Sequence, residues 1–339
     1  MKKPTANRPE HAFAAFVRIL GKGKTGTRSL TLAEAEEAFG MILSGQAEPV
    51  QVGAFLMLLR VKEETGEELA GFVRACRRIM PPPPENLGVD LDWSSYAGKK
   101  HQHPWFILSL LLLSQAGYRT LIHGAEGHTP ERLYTEAAMD ALQLPVADSW
   151  GKVAEGLQTT GLCYMPLADL CPSLHELIQL RPLLGLRSPV HTLTRMLNPT
   201  VANASIQSIF HPAYGVLHQE ADRILEQPAA LVFKGDSGEV EIKPHADTRL
   251  MYLRNGKTEE QLLMRSIDSR VGSVASPSVE PLRQLWRDES NDDYGLRAVL
   301  ATTAVALSLI EKTLDMDAAM DAARTLWQNR DSQRISACP

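Results

Sequence analysis

Lys99, Lys100, His101 and His103 crowd together just ahead of Pro104, which falls in the first turn of an apolar helix. Proline is favoured there because its missing N–H has no partner in any helix. Two lysines at a helix N-terminus suit a phosphate, since ammonium charge and free first-turn N–H groups attract the same anion. Tyr96 and Trp105 flank the lysines and would put stacking surface beside charge, the pairing used on single-stranded nucleic acid. Each signal has a second reading: Lys99-Lys100 as a solvated surface loop, Trp105 as core packing. Lys22, Lys24 and Arg28 form another basic cluster within GKGKTGTRS. Gly23-Lys24-Thr25 mimics the end of a P-loop, but Arg18 stands where the first glycine must be and no strand precedes it, so an NTPase is excluded. Cys76, Cys163, Cys171 and Cys338 are scattered without a CxxC pair. Neither a disulfide framework nor a zinc site is expected, and the setting implied is cytoplasmic. Cys163 and Cys171 read as small buried residues.

These residues need a scaffold, and 339 residues suffice for one large domain or two ordinary ones. From Glu10 to Met80 the apolar residues recur at three- and four-residue spacing, so helices are expected throughout. Thr31 with Glu34 makes a capping box. Gln51–Lys62 is apolar around most of its circumference and reads as the centre of a helical subdomain. Glu63, Glu64, Glu67 and Glu68 read as the solvated face of a helix start. Pro81–Pro84 then forms a stiff connector. Beyond it, β-type runs (88–91, 120–123, 161–165 and 229–234) alternate with helices (105–115 and 130–142), which implies a mostly parallel sheet. Residues 174–197 read as helix broken at Pro182 and Pro189, and two helices, 294–314 and 316–329, close the chain. The only long apolar run seen, Trp105–Ser114, is half of the ~20 residues a membrane span needs and reads as a buried helix. The N-terminus has no apolar region of a signal peptide.

With 35 Lys+Arg against 40 Asp+Glu, the net charge of −5 excludes a uniformly basic protein but not a basic patch. The acidic surplus is expected away from the basic loop, around Glu34–Glu37, Glu63–Glu68 and Asp288–Asp293.

Leu30–Met80 carries the strings Gln-x-Gly-Ala-Phe-Leu-Met and Glu-Thr-x-Glu-Glu-x-x-Gly-Phe in order, and Leu184–Pro199 reads LGLRSPVHTLTRMLNP. His211-Pro212, Ala221 and Gly238–Ile242 follow at matching positions. In these motifs, over roughly residues 12–330, the chain resembles the anthranilate phosphoribosyltransferase family. The resemblance implies an α/β protein in which an N-terminal helical subdomain joins a larger α/β domain with a mostly parallel sheet flanked by helices. The expected division is 10–80, joined by a helical excursion near 170–205, and 86–335, with homodimerisation through the N-terminal helices.

The family binds phosphoribosyl pyrophosphate on a GTGGDG loop. Here that segment is Ser94–His103, with Gly98 its one glycine. The family's Mg²⁺-binding Ser aligns with Phe106, its Lys-His-Gly-Asn-Arg becomes Ile122–Glu126, and its second Mg²⁺-binding acidic pair becomes Val240-Glu241. Transfer of the usual kind needs those metal and cation clamps, so ordinary activity is not expected. Tyr96–Lys99, the Arg187…His191…Arg195 run and the Gly21–Lys24 start resemble the divergent YbiB-like branch, which implies nucleic-acid binding instead. The expectation is therefore a sequence-independent, metal-free cleft for single-stranded or duplex nucleic acid, built from Lys99, Lys100, His101, His103, Arg187, Arg195, Lys22 and Lys24. No catalytic residue, cofactor or membrane partner is assigned. The alternative is a glycosyl- or phosphoribosyl-transferase of altered substrate, with Mg²⁺, using His123, Gly124 and Glu241. For His123 itself, a strand-end hydrogen bond to backbone competes with an acid–base role.

Overall fold

The computed structural model describes residues 9–23, 25–127, 129–269 and 271–335. Four helices open the chain: α1 (Ala14–Gly21), α2 (Leu32–Leu43), α3 (Pro49–Lys62) and α4 (Gly66–Ile79). Thr31 accepts from the Glu34 N–H while Glu34 returns a bond to the Thr31 N–H, as the sequence predicts, and Thr65 and Glu68 repeat the arrangement at α4. Phe13, Phe55, Phe72 and Phe39 stack edge-on or tilted through the centre. Fully burying such a side chain stabilises the fold by about 2–3 kcal/mol. Gly71 lets α4 close on α2, since a Cβ there would lie 2.6 Å from the Leu32 carbonyl oxygen.

Two expectations for this part need correction. Helix α3 buries Phe55, Leu56 and Leu59, but Val50 and Val61 stand 79% and 83% exposed, so the helix has an open apolar face. Glu64 and Glu68 do not lie on a solvated face. Glu68 is fully buried, accepting from the N–H groups of Leu30 and Thr65 and from the Lys62 ammonium.

Seven strands form one sheet: β1 (Leu91–Ser95), β2 (Thr120–Gly124), β3 (Leu162–Pro166), β4 (Ala204–Ile209), β5 (Ala229–Lys234), β6 (Thr248–Arg254) and β7 (Lys257–Leu263). Their order is β3-β2-β1-β4-β5-β6-β7, parallel through β5 and antiparallel at β6 and β7. The fold is thus α/β, a helical bundle beside a larger domain with a mostly parallel sheet flanked by helices. Helix α5 (Phe106–Gln115) is buried from Phe106 to Leu113. It packs on the helix Asp293–Ile310, to which Ser109 donates a hydrogen bond at the Val299 carbonyl (3.0 Å). That second apolar helix has the length of a membrane span, yet 72% of it is buried inside the protein. On the opposite face of the sheet, the four N-terminal helices share one apolar cluster with Leu121, Met165 and residues 167–197.

Several boundaries move. The first strand begins at Leu91, because Leu91 and Trp93 point into one core while Asp92 and Ser94 face the other side. The helix expected from Pro130 starts at Thr135, and residues 174–197 resolve into Pro172–Ile178, Arg181–Leu184 and Val190–Leu193. Strands β4, β6 and β7 went unread. The turn between the last two is Asn255-Gly256, both at positive φ (50° and 77°), which the two-residue hairpin requires.

Candidate functional site

Strand order reverses at β1, which lies between β2 and β4, and in open α/β sheets ligands bind beyond the carboxyl ends of strands at such a point. The loops there are Tyr96–Trp105 after β1, Ala125 onward after β2, Phe210–Ala213 after β4 and Gly235–Val240 after β5.

The first loop turns at Gly98 (φ 68°), where a Cβ would press on Arg132 and Tyr134. Lys99 then runs inward, 1% exposed, and its ammonium lies between the carboxylates of Asp236 and Glu241. The other Glu241 oxygen accepts from the Phe106 N–H at 2.9 Å. Burial opposes the Lys99 charge, but the two carboxylates outweigh it and hold its pKa above the ordinary lysine value. Asp236 is held below the usual carboxylate range because Lys99 overcomes its burial, whereas burial pushes Glu241 up to about 7 despite Lys99. Glu239 completes the floor, accepting from the Ala97 and Gly98 N–H groups (2.7 and 2.5 Å) and from Ser95 Oγ (2.6 Å). Of the acidic groups here, Glu241 was expected at the site, while the bulk of the acidic surplus was expected elsewhere. Three carboxylates line this floor, and each is committed to the chain's own donors.

The family resemblance implies Mg²⁺, and the residues present do not fit it. A lysine ammonium fills the space between the two carboxylates, and Phe106 supplies no oxygen where a hard cation needs one. Among the described residues no group of three or more His, Cys, Asp or Glu side chains is placed to hold a metal ion.

Between the helical bundle and the sheet lies a cavity of about 110 Å³, walled in part by Arg60, Glu64, Arg187, Phe210, Tyr214 and His218. Arg187 has no hydrogen bond or ion pair among the described residues. Burial, with repulsion from Arg181, Arg132 and Arg195, pulls its pKa down to about 10, still charged at neutral pH. Phe210 stands 47% exposed at the rim. Glu64 is raised by burial and accepts from Thr192.

Two buried polar chains end at this cavity. Gln207 donates its amide N–H to Asp222 (3.1 Å), so its carbonyl oxygen must accept from His218 Nδ1 at 2.7 Å. That assigns the His218 proton to Nδ1 and leaves Nε2 a bare acceptor. Burial pushes the His218 pKa down to about 3 and that of Asp222 up to about 7. In the second chain Ser205 bonds Asp92 (2.9 Å), whose carboxylate faces His123 (3.1 Å), and His123 Nδ1 meets the Tyr96 hydroxyl at 2.7 Å.

The expected site residues therefore separate. Lys99 does not face the cleft, and Arg195, though on the cavity wall, is engaged within the chain. Lys99 neutralises carboxylates, and Arg195 donates to the carbonyls of His191, Ser208 and Gly238. Tyr96 and Trp105 are buried, Trp105 against Gly295, so the core reading of Trp105 holds and the stacking reading fails. Lys100 is exposed and pairs with Glu131 at 3.3 Å, away from the cavity. His101 is exposed beside Ser273, and His103, lowered by burial, accepts from the Ser278 N–H. Lys22 is exposed after α1 and is not on the cavity wall, while Lys24 lies outside the described residues. His123 and Glu241 are wholly buried, Gly124 is buried at the wall of a separate cavity, and His123 bonds Tyr96 rather than backbone. Of the expected cations, Arg187 and Arg195 line the cavity, and of these two Arg187 is the one without a hydrogen bond or ion pair among the described residues. Arg60, Phe210 and His218 were missed. His211-Pro212 in the same loop was the available signal for Phe210.

Residues 17–80 match the glycosyl transferase family, helical bundle domain. The protein YbiB of Escherichia coli (strain K12) is 26% identical over 206 residues, 60% of this chain and 64% of YbiB. The chain thus matches a little under two thirds of YbiB. An anthranilate phosphoribosyltransferase of Brevibacillus brevis is 29% identical over 240 residues, 68% of this chain and 67% of that enzyme. The fold superposes on the anthranilate phosphoribosyltransferase of Thermus thermophilus with a TM-score of 0.75 at 20% identity, covering 95% of this chain and 99% of that one. On the Saccharomyces cerevisiae enzyme in complex with PRPP and Mg the TM-score is 0.79 at 16% identity, covering 96% of each. The chain is thus similar in sequence to the anthranilate phosphoribosyltransferases and shares their fold.

Proposed function

We propose that this protein is a cytoplasmic nucleic-acid binder that holds phosphates at the interdomain cleft without metal and without reading sequence. The observation carrying this reading is Arg187, a half-buried guanidinium with no anionic partner among the described residues and three further arginines close enough to repel it. Such a site stabilises whichever anion arrives. Arg60 extends the charge along the cavity, and exposed Phe210 offers a ring on which an unstacked base rests. The apolar face left open on α3 by Val50 and Val61 suits homodimerisation through the N-terminal helices. The transferase alternative relies on His123, Gly124 and Glu241, and their burial argues against it.

The test is fluorescence anisotropy of a single-stranded oligonucleotide, with a duplex of the same sequence in parallel. Arg187→Ala is expected to weaken binding about tenfold or more, which is about 1.4 kcal/mol. Equal affinity for the variant and the native chain sinks the reading.

A further inference from the structure

We infer that the loop after β1 is a closed phosphate nest whose resident anion is the chain's own Glu239. Three neutral donors converge on that carboxylate: the Ala97 N–H, the Gly98 N–H and the Ser95 hydroxyl. Successive backbone N–H groups around a left-handed residue, here Gly98 at φ 68°, form a concavity that binds oxyanions. Glu239 fills it at 1% exposure, and among the described residues no cation makes an ion pair with it. A carboxylate held by backbone and hydroxyl donors alone occupies the place of a phosphate monoester or free orthophosphate.

The plug is built in by the turn that precedes it. Ser237 (φ 57°) and Gly238 (φ 90°) both adopt the left-handed conformation and bring Glu239 against the loop. Arg132 donates to the Ser237 carbonyl as well as to those of Ala97 and Gly98, so it ties plug to nest. Arg195 donates to the Gly238 carbonyl from the other side. Through these carbonyl contacts Arg132 and Arg195 latch the closed state. Lys99 neutralises the neighbouring carboxylates Asp236 and Glu241, and Glu239 takes the nest.

This inference does not depend on Arg187 or on nucleic acid, and a site-specific readout keeps the two apart. The amide resonances of Ala97 and Gly98 are followed while inorganic phosphate is titrated into the native protein and into Glu239→Ala. The native resonances are expected to stay put, because the carboxylate holds both N–H groups. In Glu239→Ala they are expected to shift saturably, with Ser95 Oγ as third donor. A saturable shift in the native protein overturns the inference, as does a folded Glu239→Ala whose resonances ignore phosphate. Should that variant fail to fold, the native titration decides alone.

Discussion

Lys99 and Glu241 form an ion pair with side chains 1% and 0% exposed, although 142 positions separate them in the chain. Removing one partner of such a pair strands the other without solvent. Lys99→Met would leave Asp236 and Glu241 facing each other across an apolar side chain, at a cost of about 3–5 kcal/mol. Urea unfolding measures it. Oligonucleotide affinity per folded molecule is expected to be unchanged, since Lys99 contacts no ligand. A loss of affinity with intact stability would contradict the placement.

The two capping boxes should differ in strength. Glu34 is partly exposed, and its bonds to Thr31 and Arg28 compete with water, so Glu34→Ala is expected to cost about 1 kcal/mol. Glu68 is buried and serves two backbone N–H groups and Lys62, so Glu68→Ala should cost about 2–4 kcal/mol. Equal costs would show that burial does not separate them.

Asp222 carries a pH signature. Its folded pKa is about 7, above the ordinary 3.8, so the folded state holds the proton more tightly. Its contribution to stability is full below about pH 4 and is lost as pH rises through about 7. His218, pulled down to about 3, acts in the opposite sense, losing stability as pH falls from 6.5. Comparing the native chain with Asp222→Asn cancels the His218 share. The variant should lose less stability between pH 5 and pH 8, by a few kcal/mol at most. Parallel pH profiles of Tm would remove this account of the Asp222–Gln207–His218 chain.

The donors that would hold Mg²⁺ and pyrophosphate are engaged by Lys99 and Glu239. Calorimetry with phosphoribosyl pyrophosphate and Mg²⁺ is therefore expected to show no Mg²⁺-dependent binding. Micromolar, metal-dependent heat would restore the transferase reading.

The helical part and the parallel strands β2, β3 and β5 were legible because each follows a local pattern. Thr31 and Glu34 are three residues apart, and β5 matches the predicted run 229–234. The site was harder because its charges are decided by partners far along the chain. Nothing near Lys99 announces Asp236 or Glu241, so a lysine bound for the interior reads like a surface one. Arg195 likewise satisfies carbonyls from β4 and from the turn after β5. Other misses had local signals. Asn255-Gly256 is a hairpin turn, and Thr65 with Glu68 repeats a capping box recognised at Thr31.

The most direct test is the salt dependence of single-stranded oligonucleotide binding. Phosphate contacts release counterions, so log affinity should fall linearly with log salt. Loss of Arg187 should reduce that slope by about one contact. The account predicts tight binding at low salt that collapses on salt addition, with a shallower slope in Arg187→Ala. Absence of binding at low salt, or an affinity indifferent to salt, would contradict it.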